Sequence, residues 1–257
     1  MRIRDFVLTL LLSLIANSAH AGWVSLFNGT DLTGWTPKIR GYQFGEDPDH
    51  TFRVEDGLLT VSYTAYTKFN DQFGHLFYQT PYSHYRLRLD YRFIGKQAPG
   101  APRWAFRNSG VMVHSQNPAT MPPSQDFPIS VEVQFLGGLG DGKARSTANM
   151  CSPGTHIVYQ GAFTKTHCIN STAPTFHDDQ WVHVEVLVQG DQRVVHFVNG
   201  QKVMEYGGLT TGGGVVSGHR EEMKPEGLPL KTGYISLQSE GHPIQFRNIE
   251  LIDMGSG

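Results

Sequence analysis

Five apolar residues, Tyr85, Leu87, Leu89, Tyr91 and Phe93, alternate without a break with Arg86, Arg88, Asp90 and Arg92. Successive side chains of an extended strand point to opposite faces, so this segment buries one face and presents a charged one to water. The same period recurs along the chain, and no window of a dozen residues sustains the i, i+3, i+4 spacing of an amphipathic helix. Asp56-Gly57 separates two β-prone arms, and Gly190-Asp191 and Asn199-Gly200 separate three more, all hairpin signals. The expectation is an all-β chain, a two-sheet antiparallel β-sandwich with long loops, because regular strands over so long a chain fit two sheets better than a small barrel.

Residues 1–21 hold Arg2 and Arg4, a mostly apolar stretch over 6–16, and the small-x-small triplet Ala19-His20-Ala21. This is the pattern of a secretory signal, and its apolar core is shorter than the roughly 20 residues of a membrane span. The expected organisation is a signal peptide over 1–21 and a single domain over 22–254, exported to the periplasm or beyond, with no membrane span in the mature form. Lys and Arg number 21 against 23 Asp and Glu, so no basic surface for phosphate backbones is expected and nucleic acid is not an expected partner. The absence of a GxSxG elbow, a P-loop and a dinucleotide fingerprint argues against the enzymes built on those motifs. Cys151 and Cys168 lie in a stretch rich in Ser, Thr, Asn, Pro and Gly. In an exported chain such a pair is expected to form a disulfide, and closing a loop of that length is worth roughly 3 kcal/mol.

Chemistry has to come from faces the core does not use. Ile129, Val131, Val133 and Phe135 leave Glu132 and Gln134 together on the opposite face of their strand. By the same alternation Val111 and Val113 leave His114 on a polar side, and Ile235 and Leu237 leave Ser236, Gln238 and Glu240 on theirs. Three strands offering amides, carboxylates and an imidazole suit sugar hydroxyls, with Trp35, Tyr42 and Trp104 as candidate aromatic walls. Two long irregular stretches, 96–104 and 137–180, and a Gly-rich one, 207–229, are expected to gather at one end or over one face. The twelve histidines form no compact ligand spacing, which disfavours zinc. No cofactor is specified; a divalent cation with Asp126, Asp141 and Glu132 as contributors stays open.

Five segments carry a resemblance. They are Trp23-Val24-Ser25-Leu26-Phe27-Asn28-Gly29-Thr30-Asp31-Leu32-Thr33-Gly34-Trp35, Phe52-Arg53-Val54-Glu55-Asp56-Gly57, Arg107-Asn108-Ser109-Gly110-Val111, Val131-Glu132-Val133-Gln134, and Leu237-Gln238-Ser239-Glu240-Gly241-His242 with the residues that follow. In this order and spacing they resemble the successive signatures of the 3-keto-disaccharide hydrolase family. The resemblance implies a concanavalin-like jelly roll, an exported location and a role in sugar degradation on an oligosaccharide or glycoside substrate. The chain departs from many members at Gly137, where they carry Asp, and in placing His242 after Gly241 rather than before it.

A ketone at C3 of a glycoside makes the C2 proton acidic, so a base can remove it, an enolate forms, and the group at C1 leaves; water then completes net hydrolysis. Such a route needs a base, an enolate stabiliser and a leaving-group acid. The expected base is His114 or Glu132, with Glu240 and His242 as the other acid–base candidates and Arg107 or a metal ion at the enolate oxygen. Asn108, Gln134 and Gln238 would hold hydroxyls, beside Trp104 and Tyr42. A conventional glycosidase would instead set Glu132 and Glu240 about one bond. The alternative from another class is a non-catalytic carbohydrate-binding module, since fold alone does not establish function.

Overall fold

The computed structural model describes residues 22–255; the expected signal segment, 1–21, lies outside the described residues. Asp56 and Gly57 both take left-handed backbone angles, φ 51° and 77°, as do Asn199 and Gly200 at 48° and 78°. Those pairs of positive φ make the tight turns whose twist matches that of the flanking strands, so these two of the three expected hairpins close in this way.

The first half of the described chain gives β1 (Val24–Ser25), β2 (Trp35–Ile39), β3 (Phe52–Glu55), β4 (Leu58–Val61), β5 (Gly74–Tyr78), β6 (His84–Phe93), β7 (Asn108–Ser115) and β8 (Val131–Leu136). The second half gives β9 (Asn149–Cys151), β10 (Thr155–Tyr159), β11 (Ala162–Thr164), β12 (Cys168–Ile169), β13 (Val182–Gln189), β14 (Arg193–Val198), β15 (Gln201–Thr211), β16 (Tyr234–Ser239) and β17 (Ile244–Asp253). The stretch 137–180 is therefore not irregular throughout: four short strands run through it. Their brevity and scattered polar residues hide the period-two signal that longer strands display.

The strands form two antiparallel sheets stacked as a jelly roll. One has ten strands, in the order β11-β10-β15-β14-β13-β6-β17-β4-β3 with β1 added on β17; the other has seven, in the order β12-β9-β8-β7-β16-β5-β2. β6 lies mid-sheet between β13 and β17, and its alternation holds residue by residue: Tyr85, Leu87, Leu89, Tyr91 and Phe93 enter the core. Its outer face pairs Arg86 with Glu185, Arg88 with Glu250, and Asp90 with His183 and Arg247. Between the sheets, the rings of Tyr91 and Phe135 stack at 4.3 Å with an 8° interplanar angle. From the seven-stranded sheet Val111, Val113, Val131, Val133, Ile235 and Leu237 complete this core. Their neighbours in sequence are thereby turned to the far face, away from the ten-stranded sheet.

His114 breaks that rule. It has φ 51°, and the β7–β16 register shifts between Tyr234 and Ser236, so β7 bulges there. A bulge re-aims the side chain that follows it. The imidazole of His114 accordingly meets Tyr85 edge-on, with ring centroids 6.4 Å apart, and its Nε2 lies 2.9 Å from the carbonyl of Gly190 in the β13–β14 turn. It is buried toward the ten-stranded sheet, not beside Glu132.

Candidate functional site

Glu132 and Gln134 on β8 project from the far face of the seven-stranded sheet. β7 lies beside β8, with Met112 opposite Glu132, Gly110 opposite Gln134, and Asn108 opposite Leu136. Continuing the pairing Leu237–Val111 by three residues brings Glu240, just past the end of β16, level with Asn108. Glu240 is followed by Gly241 at φ 103°, a left-handed conformation that glycine adopts freely. The amide of Gly241 donates to the hydroxyl of Tyr63 at 2.7 Å, which fixes the turn.

Glu132, Gln134, Leu136, Asn108 and Glu240 form the floor of a pocket of about 360 Å³. All three long stretches supply its walls: Trp104 from the first, Arg145, Pro153, His167 and Cys168 from the second, and Val215 from the third, with Phe127 closing one side. The long loops thus gather over one sheet face, and the face that alternation marked as polar is roofed rather than open to water. Glu132 is 6% exposed and Glu240 5%. Trp104, by contrast, is 52% exposed, with its ring stacked on Phe73 at 5.8 Å.

Burial sets the electrostatics. It pushes the Glu132 carboxyl up to about 8. Burial likewise holds the Glu240 carboxyl well above the ordinary carboxylate range, and the charge of Glu132 adds to that shift while Arg145 opposes it. Neither Oε1 of Glu132 nor Oε2 of Glu240 has a hydrogen-bond partner in the protein. Two carboxyls that resist joint ionisation lose their protons in two steps that belong to the pair.

Arg145 is the cation of this pocket. Its Nη1 donates to the carbonyls of Phe106 and Gly137 at 2.7 Å each and to that of Arg107 at 3.3 Å. Burial, followed by the charge of Arg107, lowers its pKa, yet a guanidinium keeps its charge at any ordinary pH. Arg107 does not reach the pocket: its side chain bonds the carbonyl of Gly138 and pairs with Asp178 at 3.5 Å. With His242 it borders a neighbouring recess of about 180 Å³. His242 sits edge-on to Phe93 and Phe106 at 5.6 and 5.0 Å, and burial, together with the charges of Arg107 and Arg145, lowers it to about 4. It is neutral at physiological pH.

Of the residues expected at a site, the fold therefore brings Glu132, Glu240, Asn108, Gln134 and Trp104 together. It leaves His114, His242 and Arg107 outside the pocket wall. Gln238 is buried on the same sheet face but beyond the pocket, Tyr42 lies half-buried accepting a hydrogen bond from Gln72, and Trp35 is a core residue whose indole donates to the carbonyl of Leu26. Arg145, Phe127 and His167 escaped sequence reasoning, because each stands in a segment without periodicity and only the closing of loops over the sheet gives it a neighbour.

Cys151 and Cys168 form a disulfide between directly opposed residues of β9 and β12, Cα atoms 4.1 Å apart. It holds His167 and Cys168 on the pocket wall. These two cysteines with His167 make the one group of three or more His, Cys, Asp or Glu side chains close enough to share a metal ion among the described residues, and both sulfurs are spent in the bridge. Asp126 and Asp141 do not join Glu132: Asp126 binds the amide and hydroxyl of Ser217, and Asp141 accepts from the amide of Lys143. No helix among the described residues is long and apolar enough to cross a membrane.

The covered face of this jelly roll thus carries two buried carboxyls and an arginine. The chain belongs to the family of 3-keto-alpha-glucoside-1,2-lyase-like domains, whose model matches residues 22–252. In fold it is similar to a candidate glycosyl hydrolase from Parabacteroides distasonis ATCC 8503, with 20% identity over 91% of this chain and 94% of that one and a TM-score of 0.52. A second candidate glycosyl hydrolase from the same organism also has 20% identity, over 90% and 98% of the two chains, with a TM-score of 0.49. The carbohydrate-binding module CBM66 of Bacillus subtilis is 11% identical over 84% and 93%, with a TM-score of 0.44. No curated protein matches the chain.

Proposed function

We propose that this protein cleaves glycosides bearing a ketone at C3, by abstraction of the C2 proton, elimination of the C1 substituent and addition of water. The observation that carries this reading is the buried pair Glu132 and Glu240 in a pocket with Arg145, two carboxyls whose ionisation is staggered. Staggered carboxyls are how one site supplies both a base and an acid.

The roles are assigned with one carboxyl ionised and the other protonated. Glu132, as the ionised member of the pair, takes the proton from C2, and the electron pair of that bond moves to the C3 oxygen as an enolate. Arg145 holds the negative charge, in a site from which protein excludes most water and where a fixed charge acts strongly. When the enolate electrons return, the C1–O bond breaks and the departing oxygen takes the proton of Glu240. The products are an alcohol and a 3-keto sugar unsaturated between C1 and C2. Water then adds across that bond, its hydroxyl to C1 and a proton from Glu132 to C2, and Glu240 takes up the remaining proton. Asn108 and Gln134 bind hydroxyls, and Trp104 offers an apolar face at the mouth.

The test is incubation of the mature protein with 3-keto-glycosides and their unoxidised parents in D₂O, with and without chelator, followed by NMR. Cleavage of the keto forms alone, with deuterium entering at C2, is the expected result. Cleavage of the parents would point to a conventional glycosidase pair, and saccharide binding without turnover to a binding module. A chelator effect would introduce a divalent cation.

A further inference from the structure

The sheet row that passes through the pocket continues beyond it. Lys38 on β2 pairs with His75 on β5, His75 with Gln238 on β16, Gly110 on β7 with Gln134 on β8, and Gln134 with Asn149 on β9. The pairings Ser236–Met112 and Leu237–Val111 bring Gln238 opposite Gly110 and close the row. Directly opposed residues share a face, so Lys38, His75, Gln238, Gly110, Gln134 and Asn149 all belong to the face that bears Glu132.

The two ends of the row differ. At the β9 end the carboxamide of Asn149 is satisfied, donating to Gln134 and Ser146 and accepting from the hydroxyl of Ser146 and the amide of Ser171. At the β2 end neither ring nitrogen of His75 and neither amide atom of Gln238 has a hydrogen-bond partner in the protein, although both residues are fully buried. Lys38, also buried, reaches the carbonyl of Ile39. Burying unpaired polar groups side by side opposes folding, and apolar residues of the same size would not. One ring lies between the pocket and His75: Phe127 lines the pocket on one side and packs edge-on against His75 at 5.8 Å on the other.

We propose that His75 and Gln238 form a second saccharide subsite, continuous with the Glu132–Glu240 pocket and opened when the Phe127 ring turns aside, which binds hydroxyls of the second sugar of a disaccharide. Burial and the charge of Lys38 hold His75 at about 3, so the imidazole is neutral and offers one donor and one acceptor. The carboxamide of Gln238 offers both as well. This is the pattern of a hydroxyl site, whereas an anion or a metal ion would call for uniform donors or acceptors. The inference rests on the reading that the pocket takes a glycoside.

The experiment is calorimetric titration of a 3-keto-disaccharide and of the methyl 3-keto-glycoside of the same ring into protein carrying Glu132→Gln to suppress turnover. Adding Gln238→Leu or His75→Leu should weaken disaccharide binding at least tenfold and leave methyl-glycoside binding within twofold, while the thermal midpoint stays level or rises. Equal weakening of both ligands, or of neither, overturns the subsite. Phe127→Ala, which leaves the polar groups in place, should speed association of the disaccharide at least threefold; an unchanged rate also overturns it. Disaccharide binding that depends on His75 and Gln238, in a protein that turns over no keto-sugar, would uphold the subsite and reject the cleavage reading. Binding of neither sugar would reject both.

Discussion

A side-chain carbon at position 110 would lie 2.7 Å from Oε1 of Glu132 and 2.9 Å from its Cγ. Gly110 is thus the gap in β7 over which the Glu132 side chain lies, on the strand that separates β8 from β16 and Glu240. The same carbon would come within 3.0 Å of the carbonyl of Val133, so the backbone of β8 cannot absorb it freely. Gly110→Ala is expected to cost about 1–3 kcal/mol of stability through overpacking. Because Glu132 must move, turnover should fall by two orders of magnitude or so, as when a catalytic group is misplaced by about 1 Å. Denaturation midpoints and single-turnover rates measure the two effects separately.

The staggered carboxyls predict a pH profile. With Glu132 as base and a pKa of about 8, cleavage should rise about tenfold per pH unit below that value and level off above it. Glu132→Gln should abolish the rise along with the activity, and a profile with its limb near the ordinary carboxylate range would exclude Glu132 as base.

The same shift bears on stability. A carboxyl with an ordinary pKa of 4.5 that is raised to about 8 in the fold keeps its proton there after the unfolded chain has lost it. Its contribution is therefore complete below about 4.5 and is lost as pH rises through about 8. Glu132→Gln should flatten this dependence, so that the gap in urea midpoint between variant and wild type widens in favour of the variant from pH 5 to pH 9. A constant gap would show that Glu132 is not buried as described.

Arg145 bonds three backbone carbonyls through Nη1 alone, and its planar guanidinium has two further nitrogens that a lysine ammonium lacks. Arg145→Lys is expected to lower kcat by about 10²-fold or more, in line with the loss of one charge-stabilising group. His114→Gln, in contrast, should retain most of kcat and lose about 1–2 kcal/mol of stability, since its imidazole bonds the Gly190 turn and packs on Tyr85, away from the pocket. Kinetics of the two variants, read against each other, decide between the pocket and the bulge as the location of chemistry.

Reduction of Cys151–Cys168 frees β12 and the wall residue His167. The bridge closes a loop of 17 residues, so its loss should cost about 2–4 kcal/mol. The thermal midpoint of reduced and alkylated protein measures that cost, and KM should rise more than kcat falls, because the wall binds and the floor reacts.

Local sequence encodes this fold as far as period two can carry it. In β6 and β8 an alternating string leaves only one way to bury its apolar half, and that choice also sends Glu132 and Gln134 to a common face. The paired positive-φ turns at Asp56-Gly57 and Asn199-Gly200 are equally local, since their residue types select the backbone conformation. The disulfide needed only two cysteines and their setting. His114 shows where this ends: a single bulge in β7 reverses its side chain, and a bulge depends on the register with β16, far away in the chain. The sequence points to Arg107 and passes over Arg145 as the pocket's cation, because the choice rests on which loop folds over the sheet. Only the tertiary structure could place Glu240 near Glu132, bury both enough to stagger their ionisation, and put Phe127 between the pocket and His75, because desolvation and proximity belong to the packed chain and have no local signature.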